Sequence, residues 1–239
     1  METFGIIYFF VCIAVIVLVS INHVIGKRVK KQNKKQALSE TVNKEQSPLE
    51  SVNNIERENL KFSLESVNSW VNNCDQKAGI LLAIVGVAIT VIVTSDIMKL
   101  LRSYIFAPFM EYCSGTSDLS FSWSRFTVFV LLVIEMTLLI VCCIYLFRAI
   151  RADIDNEERY NENPTIEKPS YIFYGDISQM KYEDYKKGGT KYEDDLKSQI
   201  YINSIIATTK FENYNEGLFW FKTLLLVSVM LFIAVMIMI

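Results

Sequence analysis

LESVNSWVNNCDQKAGILLAIVGVAITVIVTS, residues 64–95, joins two kinds of chain without a break. Its first half is polar, with Leu64, Val67, Val71 and Cys74 recurring at three- and four-residue intervals. Its second half, Ala78 to Ser95, carries no charge. Apolar residues at this spacing mark one face of a helix, and an unbroken apolar run marks a helix bathed in lipid. At 1.5 Å per residue the second half is about 27 Å long, close to the ~30 Å of a hydrocarbon core. No proline lies between Pro48 and Pro108, so the spacing predicts one helix passing from water into membrane. The seam starts at Leu60 and keeps its heptad register through Ala78, Leu81, Val85 and Ala88, which predicts pairing with another helix, within the chain or between chains. Gly79, Ala83, Gly86 and Thr90 place small residues along the span, where a neighbouring helix can approach closely.

Three further runs resemble the second half of that stretch. They cover residues 4–25, 126–147 and 217–239, with 78–95 making the fourth span. The expected fold is all-α: a polytopic membrane protein with four transmembrane helices and a small, mostly helical cytoplasmic region. Strands of an outer-membrane barrel alternate every second residue, and these runs do not. The first run follows Glu2 and precedes Lys27-Arg28, the reverse of a cleavable signal's charge order.

Lys and Arg placement sets the orientation. Segment 26–77 holds 10 of the 24, segment 97–125 holds 3, and segment 148–216 holds 10. Basic residues collect on the cytoplasmic side. Segments 26–77 and 148–216 are therefore expected in the cytoplasm of a multi-pass protein, with both termini outside. The parts are an N-terminal span (1–25), a basic linker (26–47), a cytoplasmic helix (48–77), a span (78–95), an outer loop (96–125), a span (126–147), a cytoplasmic segment (148–216) and a last span (217–239). Ser47-Pro48-Leu49-Glu50 reads as the start of the 48–77 helix, with capping serine, proline in the first turn and a capping-box glutamate. KRVKKQNKKQ, residues 27–36, suits an anionic lipid surface as well as orientation. Leu196, Ile200, Ala207, Phe211 and Tyr214 predict another amphipathic helix leading into the last span.

Chemistry is sparse. Net charge is −2, with 24 basic and 26 acidic residues, and nothing marks a nucleic-acid partner. His23 is the only histidine, so one chain supplies no multi-imidazole metal site. The five cysteines form no CxxC pair and read as small buried hydrophobes; Cys113 falls in the outer loop. No HExxH, GxSxG or Walker spacing occurs, and Lys187-Gly188-Gly189-Thr190 lacks the rest of a phosphate loop. The acidic groups Asp153/Asp155, Glu183/Asp184 and Glu193/Asp194/Asp195 read as solvated faces. KYED at 181–184 and 191–194 is too short to define a repeat. No enzyme and no cofactor is therefore expected. Glu135 is the one ionisable group deep in a span, and is either a pore-lining or switch group or an interhelical hydrogen bond that fixes packing. Trp70 and Lys77 flank the second span as interfacial anchors do.

Leu64, Trp70, Asp75, Lys77 and Ala78, running straight into an apolar span, resemble the start of the Pycsar transmembrane effector family. Phe173-Tyr174-Gly175-Asp176-Ile177 is similar to its F-x-G-D-I element. Asp195-Leu196-x2-Gln199-Ile200 and Lys210-Phe211 resemble its C-terminal pattern, so the likeness covers roughly residues 54–239. The resemblance implies a bacterial anti-phage effector. A partner pyrimidine cyclase makes cyclic UMP or cyclic CMP on infection, and the effector answers by compromising the inner membrane, an abortive infection. It also makes Trp70, Asp75, Lys77, Gly175 and Asp176 the motif residues. Phosphate suits a lysine or arginine and a pyrimidine face suits an aromatic ring. Lys77, Arg151, Tyr174, Asp176 and Lys210 are accordingly the candidate ligand-binding residues, and a homo-oligomer in contact with membrane lipid is expected. The alternatives are a SLATT-like effector, against which the last span and Gly175-Asp176 stand, and a non-enzymatic membrane sensor or scaffold.

Overall fold

A computed structural model describes residues 7–24, 52–115, 122–151, 169–187 and 192–238. All regular structure among them is helical. The long helices are α1 (Ile7–Val24), α2 (Val52–Thr94), α5 (Trp123–Ile150) and α8 (Tyr192–Met238); shorter ones are α3 (Ile97–Leu101), α4 (Ala107–Ser114), α6 (Tyr174–Gln179) and α7 (Tyr182–Lys187). The four long helices are each long and apolar enough to cross a membrane. The all-α expectation holds. The basic stretch 27–36, the cap at 47–50, Asp153, Asp155 and Gly188–Thr190 lie outside the described residues.

The chain divides into two compact units. One comprises residues 1–46, 83–144 and 217–239; the other comprises 47–82 and 145–216. In the first unit the core gathers Cys12 of α1, Ile105 between α3 and α4, Val128, Leu131, Leu132 and Leu138 of α5, and Leu224, Val227 and Ala234 of α8. The α1 helix runs antiparallel to α8: the Tyr8 hydroxyl donates to the Met230 carbonyl, and the His23 ring stacks on Phe219 at 3.7 Å. Phe9 meets Trp123 and Phe126 at the start of α5.

The segment after α2 is largely helical. One wide π-type turn, Arg102–Phe106, links α3 to α4. Pro108 falls directly after this turn, in a backbone that stays helical across the junction, with Phe106 at φ −71 and ψ −46. Gly115 then closes α4 at φ 65, the left-handed conformation glycine takes without a Cβ clash. Cys113 lies on α4 and is exposed, unlike Cys12, Cys74 and Cys142, which are buried.

In the second unit the polar half of α2 and the first half of α8 lie side by side and run in the same direction. Glu56 pairs with Lys197 at 3.3 Å, Arg57 lies 4.7 Å over the Tyr192 ring, and the Asn203 amide donates to Asn68 Oδ1 at 2.9 Å. The heptad seam is the packed face. Leu60, Leu64, Val67 and Val71 are half-buried, and Cys74 and Ala78 are fully buried. Past Val85 the same stripe is bare: Ala88 is exposed, and from Gly86 to Thr94 only Ile92 is even half-buried. A Cβ built on Gly79 or Gly86 meets nothing within 4 Å, so no close helix contact inside the described chain uses these small residues.

Candidate functional site

The second unit gathers the motif residues, beginning with a three-helix clamp. Lys210 of α8 is 6% exposed. Its Nζ donates to Asp75 Oδ1 of α2 at 2.6 Å and to the carbonyl of Ile150, the last residue of α5, at 3.2 Å. An ammonium at a helix C-terminus meets carbonyls that lack a partner in their own helix. Burying that charge is costly unless it is paired, and Asp75 supplies the pair. Lys210, a candidate ligand residue on the sequence, is thus committed to the protein, because α8 buries its ammonium beside the half-exposed Asp75 carboxylate of α2.

A second cluster holds the turn that enters α6. Ser170 is fully buried, and its Oγ accepts the N–H groups of Ile172 and Phe173 at 3.1 and 2.9 Å. Its own N–H donates to Asp176 Oδ2 at 2.8 Å. The Tyr171 N–H donates to Asp195 Oδ2 of α8 at 2.7 Å. Four backbone donors of one turn are thereby satisfied by three side chains, which fixes the turn against α8. A Cβ on Gly175 would stand 2.5 Å from Cε1 of the Phe173 ring, so any larger residue there must push that ring aside.

Asp195 is 1% exposed, not a solvated acid as its neighbours Glu193 and Asp194 suggested. Burial pushes its carboxyl above the ordinary range. Ser170 and the Tyr171 amide pull it back, and the nearby Asp176 charge adds to the rise. Ser170, Asp195 and Gln199 were missed as structural residues. The readable signal was the i, i+4 spacing of Asp195 and Gln199 beside Leu196 and Ile200, which puts two polar groups on the buried face.

The third feature is an open groove between α2 and α8. Val67 and Trp70 form one wall, and Ser204, Ala207, Thr208, Phe211, Glu212 and Asn215 form the other, around about 490 Å³. Trp70, 58% exposed, meets Phe211 edge to face at 6.1 Å between ring centres. Lys77, Arg151 and Tyr174 stay on the surface, while Asp176 belongs to the Ser170 turn. The five candidate ligand residues therefore do not form one ready-made cluster. In the other unit Glu135 accepts from the Ser228 hydroxyl of α8 at 2.6 Å, an interhelical hydrogen bond. Among the described residues no group of three or more His, Cys, Asp and Glu side chains is placed to hold a metal.

Residues 59–239 match the family model described as the Pycsar effector protein domain. The chain is similar to the Pycsar effector protein GmPycTM of Gulbenkiania mobilis, with 31% identity over 174 residues, spanning 69% of this chain and 85% of that relative. No solved structure matches.

Proposed function

Because this chain belongs to the Pycsar transmembrane effector family, a family of phage-defence membrane effectors, we propose that it answers a cyclic pyrimidine nucleotide by impairing the inner membrane. The nucleotide is cyclic UMP or cyclic CMP, made by a partner cyclase, and the outcome is abortive infection. The chain itself is not an enzyme and needs no cofactor. The observation that carries this reading is the continuity of α2 and α8. Each is one unbroken helix whose polar half holds motif residues, Trp70, Asp75 and Lys77 on α2, Asp195 and Lys210 on α8, and whose apolar half is long enough to span lipid.

A messenger that binds one arrangement of the polar halves better than another shifts the balance between them by its differential affinity. Rigid helices carry that difference into the spans. The bare face of α2 from Gly86 to Thr94 serves assembly with further copies in the membrane, where small residues permit close approach. The basic segments lie in the cytoplasm, with both termini outside.

The test is dye release from liposomes containing the full-length protein. Release is expected on addition of cyclic UMP or cyclic CMP and not of cyclic AMP. Equal release without nucleotide, or none with either pyrimidine messenger, refutes the reading.

A further inference from the structure

We propose that residues 97–114 do not stand in water but lie embedded in the leaflet where α2 ends, with lipid acyl chains as the partner of their outer face. The embedding is independent of the functional reading above; the role in leakage drawn from it rests on that reading.

The depth of the segment is set by α5. Trp123 opens that helix, the place of a tryptophan at headgroup level. Phe129 follows six residues later, about 9 Å deeper along the axis. Phe129 is the residue that receives the segment: the Phe109 ring stacks on it at 4.5 Å between ring centres, and Phe106 meets it edge to face at 6.0 Å. Ile105 is buried in the same core as Cys12 and Val128. Two residues, Ser95 and Asp96, separate α2 from α3, so the chain leaves its second span and turns straight back to this depth.

The outer face suits lipid. Leu101 and Ile105 join the core and Phe109 packs on Phe129. Away from the core, Leu100, Tyr104 and Met110 are 51%, 54% and 67% exposed, and Met98 and Phe106 are exposed as well. A helix against water turns polar residues outward; one that is apolar on both faces belongs in protein or in lipid. Residues 103–110 carry no charge. The cations are confined to the entry, where Lys99 pairs with Asp96 at 2.8 Å and Arg102 follows one turn on, and their long stems reach the headgroups. The backbone meets the other demand of lipid, that its polar groups be satisfied within the chain. The Ala107 N–H donates to the Arg102 carbonyl across the π-type turn, and Pro108 brings no N–H that would need a partner.

A helix held in one leaflet adds area to that leaflet alone and disturbs lipid packing beside the spans. Residues 97–114 are thereby the part of the chain that disorders lipid when the messenger acts.

Photo-crosslinking of the full-length protein in vesicles of phosphatidylethanolamine and phosphatidylglycerol tests the embedding. Val91, on the apolar half of α2, and Phe62, on its polar half, are both exposed and serve as references. With p-benzoylphenylalanine in place of Met110, and separately of Tyr104, lipid adducts are expected at the yield found for Val91 and about tenfold above Phe62. Adducts no more frequent than at Phe62 put the segment in water and overturn the embedding. Crosslinks between two copies in place of lipid adducts overturn lipid as the partner. Met110→Asp puts a charge among acyl chains on a side chain too short to reach the headgroups. It is expected to cut dye release on cyclic UMP or cyclic CMP about fivefold, with nucleotide binding and melting temperature retained, while Met110→Leu matches wild type. Full release by Met110→Asp overturns the role in leakage and leaves the embedding standing. Should the wild type release no dye with either nucleotide, the functional reading falls and the role in leakage with it, and the adducts at Met110 and Tyr104 judge the embedding by themselves.

Discussion

Removing Asp75 and removing Lys210 should not destabilise the protein equally, although they are two halves of one ion pair. The Nζ–Oδ1 distance is 2.6 Å, and the side chains are 7% exposed for Lys210 and 35% for Asp75. Asp75→Ala leaves an ammonium in the interior with the Ile150 carbonyl as acceptor. Stripping one partner from a buried pair costs about 3–5 kcal/mol, and the surviving carbonyl bond puts this case near 3 kcal/mol. Lys210→Met leaves a carboxylate that water still reaches, so solvent screening reduces the lost pairing to about 1 kcal/mol. Its lost bond to Ile150 adds about 1 kcal/mol. For a chain of this size 1 kcal/mol moves a melting midpoint by roughly 2–4 °C, so the expected drops are about 6–12 °C for Asp75→Ala and about 4–8 °C for Lys210→Met. Because the main cost is an orphaned charge, Asp75→Leu with Lys210→Met should lose well short of the sum. The assay is a thermal ramp of the full-length protein in detergent, carrying Cys12, Cys113, Cys142 and Cys143 as Ser, with a thiol-reactive dye that reports exposure of buried Cys74. A larger drop for Lys210→Met than for Asp75→Ala, or an additive double variant, would refute the account of the clamp.

Three more outcomes follow from the same geometry. Ser170→Ala removes the acceptor of two backbone N–H groups, which should cost about 1–3 kcal/mol and speed hydrogen exchange at residues 171–176; unchanged protection there would count against the clasp. Asp195 sits above its ordinary carboxyl range in the folded state, so the folded protein holds that proton more tightly than the unfolded chain does. The stability linked to it is present in acid and is lost as pH rises through the folded value. Asn cannot ionise, and the melting temperature of Asp195→Asn relative to wild type should therefore climb as pH rises from about 4, near the unfolded value; a falling difference would contradict the burial argument. Glu135→Gln keeps an acceptor for Ser228 and should melt close to wild type, whereas Glu135→Leu leaves the Ser228 hydroxyl only the Leu224 carbonyl of its own helix, removes the bond between α5 and α8, and should melt lower; the reverse order would show that the hydrogen bond does not fix α5 against α8.

Hydrophobic periodicity made much of this architecture legible. The four apolar runs became four long helices because nothing but an internally hydrogen-bonded helix suits that composition in lipid. The seam from Leu60 to Ala78 became the packed face of α2, since apolar residues three and four apart lie on one side of a helix whatever their partner. Proline was a weaker guide: Pro108 lies within a continuous helical stretch, just after the π-type turn.

The polar side chains were less legible. Sequence alone determined that α2 and α8 pass from polar to apolar without interruption, and that Trp70, Asp75, Gly175 and Lys210 belong to a recognisable pattern. Tertiary structure decided which charge meets which. Asp75 and Lys210 are 135 residues apart and form an ion pair; Asp195, inside an acidic run, is buried while Glu193 and Asp194 are not; Lys77, two positions from Asp75, remains in solvent. Backbone hydrogen bonds and apolar faces repeat along the chain and can be read locally. The energy of a charge depends on burial and on the partner brought to it from elsewhere, and only the folded chain sets those two quantities.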